Sequence, residues 1–279
     1  MLNFVKKSIG INRYFCSSFM EIEFSKYQGT GNDFILIDNR QGQCDNLSQS
    51  DIQFYCDRRF GIGADGLILI QLCTDASFDM VYYNSDGSQS FCGNGARCAV
   101  HFASTLGIDT RQVIFKAIDG LHQASQCGDE VRINMQEVVS VKRDGEDFVL
   151  HTGSPHYVKI SEDHSSENVI KTGKNIRYNA VYQHDGINVN LLSLQENGIS
   201  VATYERGVEN ETLSCGTGVT ACALVYALIS KTSNNHVNVH TKGGQLEVFW
   251  KKTETGFQDI FLVGPATFVF KGSIPLLIN

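Results

Sequence analysis

The sequence predicts an α/β protein of the α+β type, made of two pseudo-symmetric domains. Each is expected to be a curved mixed or antiparallel sheet wrapped around a central helix. Two observations carry this. Cys92-Gly93-Asn94-Gly95 and Cys215-Gly216-Thr217-Gly218 are near-copies 123 residues apart, and each opens an apolar, helix-like run. Other markers recur at almost the same spacing. Thr30-Gly31 matches Thr152-Gly153, and Val113-Ile114-Phe115 before Gly120 matches Val237-Asn238-Val239 before Gly244. Two copies are too few for a solenoid, so the repeat reads as a duplicated domain.

The elements follow in order. Residues 1–19 hold Lys6, Lys7 and Arg13 and no acid. Their apolar residues are scattered, without a secretory core. They read as a disordered leader or an over-extended start, and charge alone leaves a transit peptide open. The alternating stretch 20–27, opened by Met20, begins the fold, and the strand 35–37 follows the first Thr-Gly turn. Ser48 and Asp51 are spaced as a capping box, which predicts a peripheral helix over 50–59. Apolar runs predict strands at 67–70, 78–83, 131–135, 187–192, 201–204, 246–250 and 260–263. Ala96, Ala99, Val100, Ala103 and Leu106 keep helical spacing, with Gly107 at the C′ position. The second helix run, 219–229, contains no charge, so it is expected to be buried on every side. The charged run 142–147 breaks the strand pattern and places the boundary between about 136 and 148. The expected division is a leader over 1–19, an N-terminal domain over 20–140 and a C-terminal domain over 141–264. The strand 267–270 has no copy in the repeat, so 265–279 is expected to return to the first domain.

Composition narrows the function. A chain of 279 residues holds two ordinary domains, and 42% hydrophobic with 19% charged residues argues against disorder. A net charge of -7 argues against nucleic acid or an anionic membrane as partner. Nine cysteines, an odd number with no C-x-x-C pair, suggest neither a disulfide framework nor a zinc site. A reducing cytoplasm fits best.

Two cysteines at two helix starts carry chemistry. Unpaired N–H groups and the positive end of the helix dipole stabilise a thiolate there. The glycines that follow let a carboxylate approach the bare backbone. Two thiols on opposite sides of one carbon suit a reaction that inverts it. Arg206 suits a carboxylate and Glu205 an ammonium, although on spacing alone an adjacent Glu-Arg reads as a solvated pair. A redox pair also needs two cysteines, but glycine-rich anion sites add nothing to dithiol exchange. The other seven cysteines, Cys98 and Cys222 among them, read as packing.

Gly31-Asn32-Asp33-Phe34, Gly61-Ile62-Gly63-Ala64-Asp65, Asn84-Ser85-Asp86-Gly87-Ser88, Cys92-Gly93-Asn94-Gly95-Ala96-Arg97, Tyr204-Glu205-Arg206-Gly207 and Cys215-Gly216-Thr217-Gly218 occur in this order. Together the set resembles the diaminopimelate epimerases over about residues 20–272. The resemblance implies a cofactor-independent enzyme without pyridoxal or metal. It would interconvert LL- and meso-diaminopimelate for lysine and peptidoglycan-precursor synthesis, as a homodimer. It implies Cys92 and Cys215 as the two bases. It implies substrate contacts from Asn32, Asn84, Gly93, Asn94, Asn188, Glu205, Arg206, Gly216 and Thr217, with Ser154 and His156 in support. Two departures stand out. The family's Gly-Asn-Pro-His reads Gly153-Ser154-Pro155-His156, and Gly66 follows Asp65 where some members carry Gln. Phe270 reads as either an interface or a core residue. Two rival readings are a two-cysteine racemase of the proline or hydroxyproline type, whose cysteine motifs differ, and a non-catalytic amino-acid-binding or redox-regulated protein on this scaffold.

Overall fold

A computed structural model describes residues 21–230 and 233–276. The expected leader and Met20 lie outside the described residues. The first half runs β1 (Glu21–Gly29), β2 (Asn32–Asp38), α1 (Gln49–Cys56), β3 (Gly66–Gln71), β4 (Phe78–Asn84), α2 (Gly93–Thr105), β5 (Val113–Ala117), β6 (Gly120–Cys127) and β7 (Glu130–Asn134). The second runs β8 (Lys142–Asp144), β9 (Asp147–His151), β10 (Pro155–Ile160), α3 (Ser166–Arg177), β11 (Asn188–Gln195), β12 (Gly198–Glu205), β13 (Asn210–Thr212), α4 (Gly216–Ile229), β14 (His236–Thr241), β15 (Gly244–Lys252) and β16 (Phe257–Pro265). A final strand, β17 (Thr267–Pro275), closes the chain.

The halves repeat one pairing scheme. β1 to β7 pair in sequence, parallel at β2–β3 and β4–β5 and antiparallel elsewhere. β9, β10, β11, β12, β14, β15 and β16 follow the same pattern, parallel at β10–β11 and β12–β14. β7 and β16 then pair antiparallel, with Ile133 opposite Leu262, and join the halves into one continuous sheet.

Each half wraps its sheet around one helix. Ala96, Ala99, Val100 and Ala103 of α2 pack with Phe34, Ile68, Phe78, Phe115 and Ile133. Val219, Leu224 and Val225 of α4 pack with Leu192, Val201, Val239, Val248 and Leu262. Smaller cores lie under α1, around Ile35, Leu67 and Leu69, and under α3, around Val189, Leu191 and Tyr204. β3 and β11 therefore have helices on both faces, which explains their nearly unbroken apolar runs.

Four expectations change. The capping box at Ser48 and Asp51 is present, but α1 ends at Cys56 rather than 59. Asp57 stops it: its Oδ1 accepts from the Arg59 and Phe60 N–H groups, both at 2.7 Å, and turns the chain. The charged run 142–147 is not a break but the β8–β9 hairpin, turned at Gly145 with φ 63°. β17 returns to the first half, antiparallel to β1, and it has a counterpart after all, because β8 lies on β9 in the same way. Finally, α3 gave no sequence signal. Only Val169 and Gly173 of it are buried, so its apolar stripe is thin. Gly173, which reads as a turn residue, lies against the Tyr204 ring, where an added Cβ would come within 2.2 Å.

The shared β7–β16 seam predicts a single unfolding transition. In urea, fluorescence of Trp250, in the second half, and far-ultraviolet circular dichroism should give coincident midpoints. Separated midpoints would mean the halves unfold independently.

Candidate active site

The repeat brings the two helix starts together. Cys92 is the N-cap of α2 and Cys215 the N-cap of α4, both with extended backbone. Behind them Gly93 and Gly216 abut. A Cβ on Gly216 would lie 3.7 Å from the Gly93 Cα and 3.1 Å from Leu262 Cδ2. Two macrodipoles thus converge their positive ends on one place, a setting for an anion.

The surroundings of the two sulfurs differ. Cys92 Sγ accepts from the Gly95 N–H at 3.4 Å and lies 3.7 Å from Asn32 Oδ1. Cys215 Sγ has the Thr217 hydroxyl at 3.5 Å. The helix starts were expected to depress both thiols, and burial reverses the outcome. It pushes Cys92 up to about 11, against the Gly95 N–H that pulls it down, with the Glu205 carboxylate adding to the rise. Burial pushes Cys215 to about 12, Glu205 again adds to it, and the Thr217 hydroxyl and Gly218 N–H oppose it. Burial thus holds both sulfurs towards the thiol form. Glu205 itself is raised by burial.

On the α2 side, Asn94 is buried and donates to Ser214 O at 3.1 Å and to Asn32 Oδ1 at 3.4 Å, so it ties one helix start to the approach of the other. Asn94 Oδ1 has no partner and points toward Gly216, whose added Cβ would lie 3.7 Å from it. Asn32 donates to Asp65 Oδ2 at 2.5 Å. Asp65 belongs to an ionic frame in which Arg58 bridges Asp33 and Asp65 and buried Lys26 reaches Asp33 at 2.7 Å. Burial raises the Asp33 carboxyl, and its bonds to Arg58 and Lys26 outweigh that and hold it well below the usual range. Arg97, wholly buried, donates to Thr30 Oγ1 at 3.1 Å and to Pro265 O at 3.3 Å, anchoring α2 to the first Thr-Gly turn.

On the α4 side, Asn188 Nδ2 donates to Ser154 Oγ at 2.9 Å, and its Oδ1 accepts from the Arg206 N–H at 2.8 Å. Ser154 Oγ lies 3.0 Å from His156 Nε2 and 3.4 Å from Thr217 Oγ1. His156 is fully buried, and burial lowers it from 6.5 to about 3, so it is neutral.

The structure thus gathers Asn32, Cys92, Gly93, Asn94, Ser154, His156, Asn188, Arg206, Cys215, Gly216 and Thr217 into one contact network, with Glu205 acting on both sulfurs. Asn84 stands at its edge. Its amide donates to Ser88 and Ser90, and it pairs across β3 with Gly66. Gly66 leaves no room for a side chain, since a Cβ would come within 2.4 Å of the Tyr82 ring. Sequence reasoning missed Asp65 and Asn190. Asp65 closes the motif over 61–65. Asn190 lies two residues from Asn188, on the same face of β11, with its Nδ2 3.0 Å from His156 Nδ1, so strand alternation from Asn188 is the signal that points to it. Among the described residues no three His, Cys, Asp or Glu side chains are grouped to hold a metal ion. No helix among them is long and apolar enough to cross a membrane.

The diaminopimelate epimerase family model matches residues 24–141 and 148–269. The chain belongs to the diaminopimelate epimerase family. A diaminopimelate epimerase of Flavobacterium psychrophilum is 47% identical over 252 residues, covering 89% of this chain and 98% of that protein. One from Aquifex aeolicus is 39% identical over 274 residues, covering 91% and 98%. Among solved structures, a PhzF-family phenazine biosynthesis protein of Bacillus anthracis superposes with TM-score 0.71 at 12% identity, covering 92% of this chain and all of that one. A hydroxyproline epimerase of Agrobacterium vitis gives 0.66 at 12%, covering 92% and 93%. These last two share the fold. The family match sets the chain apart from the proline and hydroxyproline type of racemase.

Neutral burial of His156 has a measurable consequence. The unfolded chain takes up a proton near pH 6.5 that the folded chain refuses until about 3. The associated stability is complete above pH 6.5 and is lost as pH falls towards 3. His156→Gln should flatten the decline in melting temperature over that window, by the equivalent of roughly 1–3 kcal/mol near pH 4. Parallel curves for both proteins would contradict this.

Proposed function

We propose that this chain interconverts LL- and meso-diaminopimelate by a two-base mechanism without pyridoxal, supplying lysine and peptidoglycan-precursor synthesis in the cytoplasm. Family membership supports the substrate. The observation that carries the mechanism is the meeting of Cys92 and Cys215 at two abutting helix starts. Eight free cysteines among the described residues suit a reducing compartment.

The substrate's α-carboxylate lies against the convergent N–H groups of α2 and α4, where backbone at Gly93 and Gly216 permits close approach. Glu205 and the Arg206 segment bracket its polar groups, and Asn32, Asn94, Asn188 and Thr217 line the walls. One sulfur, as thiolate, takes the Cα proton, while the other, as thiol, delivers a proton to the opposite face. The Cα–H bond breaks toward one sulfur and a new C–H bond forms from the other. The enzyme ends with its proton moved across the site. The two helix starts stabilise the carbanionic charge delocalised into the carboxylate. The raised thiols require help to ionise, and the positive charge of a bound ammonium supplies that help. The halves serve as domains, 20–140 completed by 265–279 and 141–264, with the substrate between them.

Cys92→Ala and Cys215→Ala should each lower kcat/KM for diaminopimelate epimerisation by about 10²–10⁴-fold, the range for loss of a positioned acid or base. Turnover near the parent value in either variant would reject the assignment.

The chain is further read as a homodimer. β17 exposes Phe268, Val269 and Phe270 together, and Phe270 is 45% exposed beside Phe24 rather than enclosed in a core. Phe270→Glu should shift sedimentation at micromolar concentration from dimer to monomer. A monomeric parent protein would reject this.

A further inference from the structure

We infer that Ser154 is a positioning residue that aims the Thr217 hydroxyl proton at Cys215 Sγ, at the end of a hydrogen-bond relay with a single direction. The inference deepens the two-thiol reading and rests on it for the role of Cys215.

The direction follows from donor and acceptor inventories along the chain of contacts. Asn190 Nδ2 lies 3.0 Å from Tyr157 O, a carbonyl that only accepts, so this atom is the amide nitrogen. Asn190 Oδ1 accordingly accepts from Thr203 Oγ1 at 2.9 Å. The remaining Asn190 Nδ2 hydrogen faces His156 Nδ1 at 3.0 Å, so Nδ1 is the unprotonated nitrogen. His156 is neutral, so its one proton sits on Nε2 and is donated to Ser154 Oγ at 3.0 Å.

Ser154 Oγ also accepts from Asn188 Nδ2 at 2.9 Å. The Asn188 amide is itself oriented, because its Oδ1 takes the Arg206 N–H at 2.8 Å and its Nδ2 faces Pro155 O at 3.3 Å. Two donors occupy both lone pairs of the Ser154 hydroxyl. Its proton then goes to the remaining neighbour, Thr217 Oγ1, at 3.4 Å. Thr217 Oγ1 accepts from Ser154 and therefore does not donate back along the relay. Its hydroxyl donates to Cys215 Sγ, at 3.5 Å. A hydroxyl that donates favours the thiolate over the thiol.

Among the described residues the first half shows no equivalent relay. Asn94 stands at the position of Thr217, and its Nδ2 is taken up by Ser214 O and Asn32 Oδ1. The relay is thus a difference between two otherwise matched thiols. Glu205 on β12, Cys92 on the α2 cap and Cys222 on α4 are the titratable groups facing Cys215. His151 and Arg206 are those facing His156.

The test is the rate of alkylation by iodoacetamide at one fixed pH of about 8, resolved by mass spectrometry at Cys215 and at Cys92. Well below the midpoint the rate follows the thiolate fraction, so Ser154→Ala should slow Cys215 by on the order of tenfold, the scale of one hydrogen bond to a charged group, and leave Cys92 unchanged. Ser154→Thr, which keeps the hydroxyl, should restore the rate. Thr217→Val should give the same slowing, and adding Ser154→Ala to it should add nothing, because both remove one relay. An unchanged Cys215 rate in Ser154→Ala and Thr217→Val, a common slowing of both cysteines, or additive effects would overturn the inference. Thr217→Val keeps the comparison available if Ser154→Ala fails to fold. Epimerisation plays no part in this readout. A parent protein inactive on diaminopimelate would reject the proposed reaction and leave the relay standing.

Discussion

Everything in the site depends on the contact between two helix starts that electrostatics alone would keep apart. The positive ends of α2 and α4 meet at Gly93 and Gly216, over Leu262 of the seam strand. Like ends repel, so the fold must impose the contact. It does so through the β7–β16 pairing, through the two central helices packed into their own halves, and through the Asn94 bond to Ser214 O. Glycine suits the junction, since a Cβ on Gly216 would press Leu262 Cδ2 at 3.1 Å and make that side chain give way. The ends that repel each other form a setting for an anion such as a carboxylate, with a sulfur at each helix start.

Burial and dipole compete at these sulfurs, and burial outweighs the dipole. The balance follows from distance and number. One N–H at 3.4 Å from Cys92 offsets little of the cost of removing a thiolate from water. In the proposed mechanism the same burial that suppresses ionisation would shield the carbanion from water. The halves then depart from symmetry where it matters. The ionic frame of Lys26, Asp33, Arg58 and Asp65 stiffens Asn32 beside Cys92. A neutral hydrogen-bonded chain stands behind Cys215. An asymmetric stereocentre needs walls that differ.

Much of this was legible in the residues. The Cys-Gly repeat gave both central helices and their caps, because a glycine-rich start before an apolar run has one common structural meaning. Strands with paired apolar residues, such as 67–70 and 260–263, were visible because burial on the sheet leaves a direct imprint. α3 was not, since its helix rests on the surface with few buried residues and a glycine at its contact. The β8–β9 hairpin hid because charge dominates a strand exposed on its edge. In the site, Asn32 and Thr217, which lie at the two sulfurs, stand in the ordered motifs, whereas Asp65 and Asn190 were not singled out. Each acts through another polar side chain, and an Asn or Asp on its own reads as a turn or strand residue. The thiol shifts were not legible for a related reason: a helix start is a local feature, but the depth at which it is buried belongs to the whole fold.

The central claim is that two sulfurs act on opposite faces of one carbon, and solvent hydrogen reports on it directly. LL-diaminopimelate is incubated in deuterated water and stopped at low conversion, and label at Cα is measured separately in product and in recovered substrate. Two bases predict deuterium in the meso product and protium in the recovered substrate, because the incoming hydrogen comes from the opposite thiol, exchanged with solvent. Product that keeps the substrate's own hydrogen, or recovered substrate labelled as fast as product forms, would contradict the account.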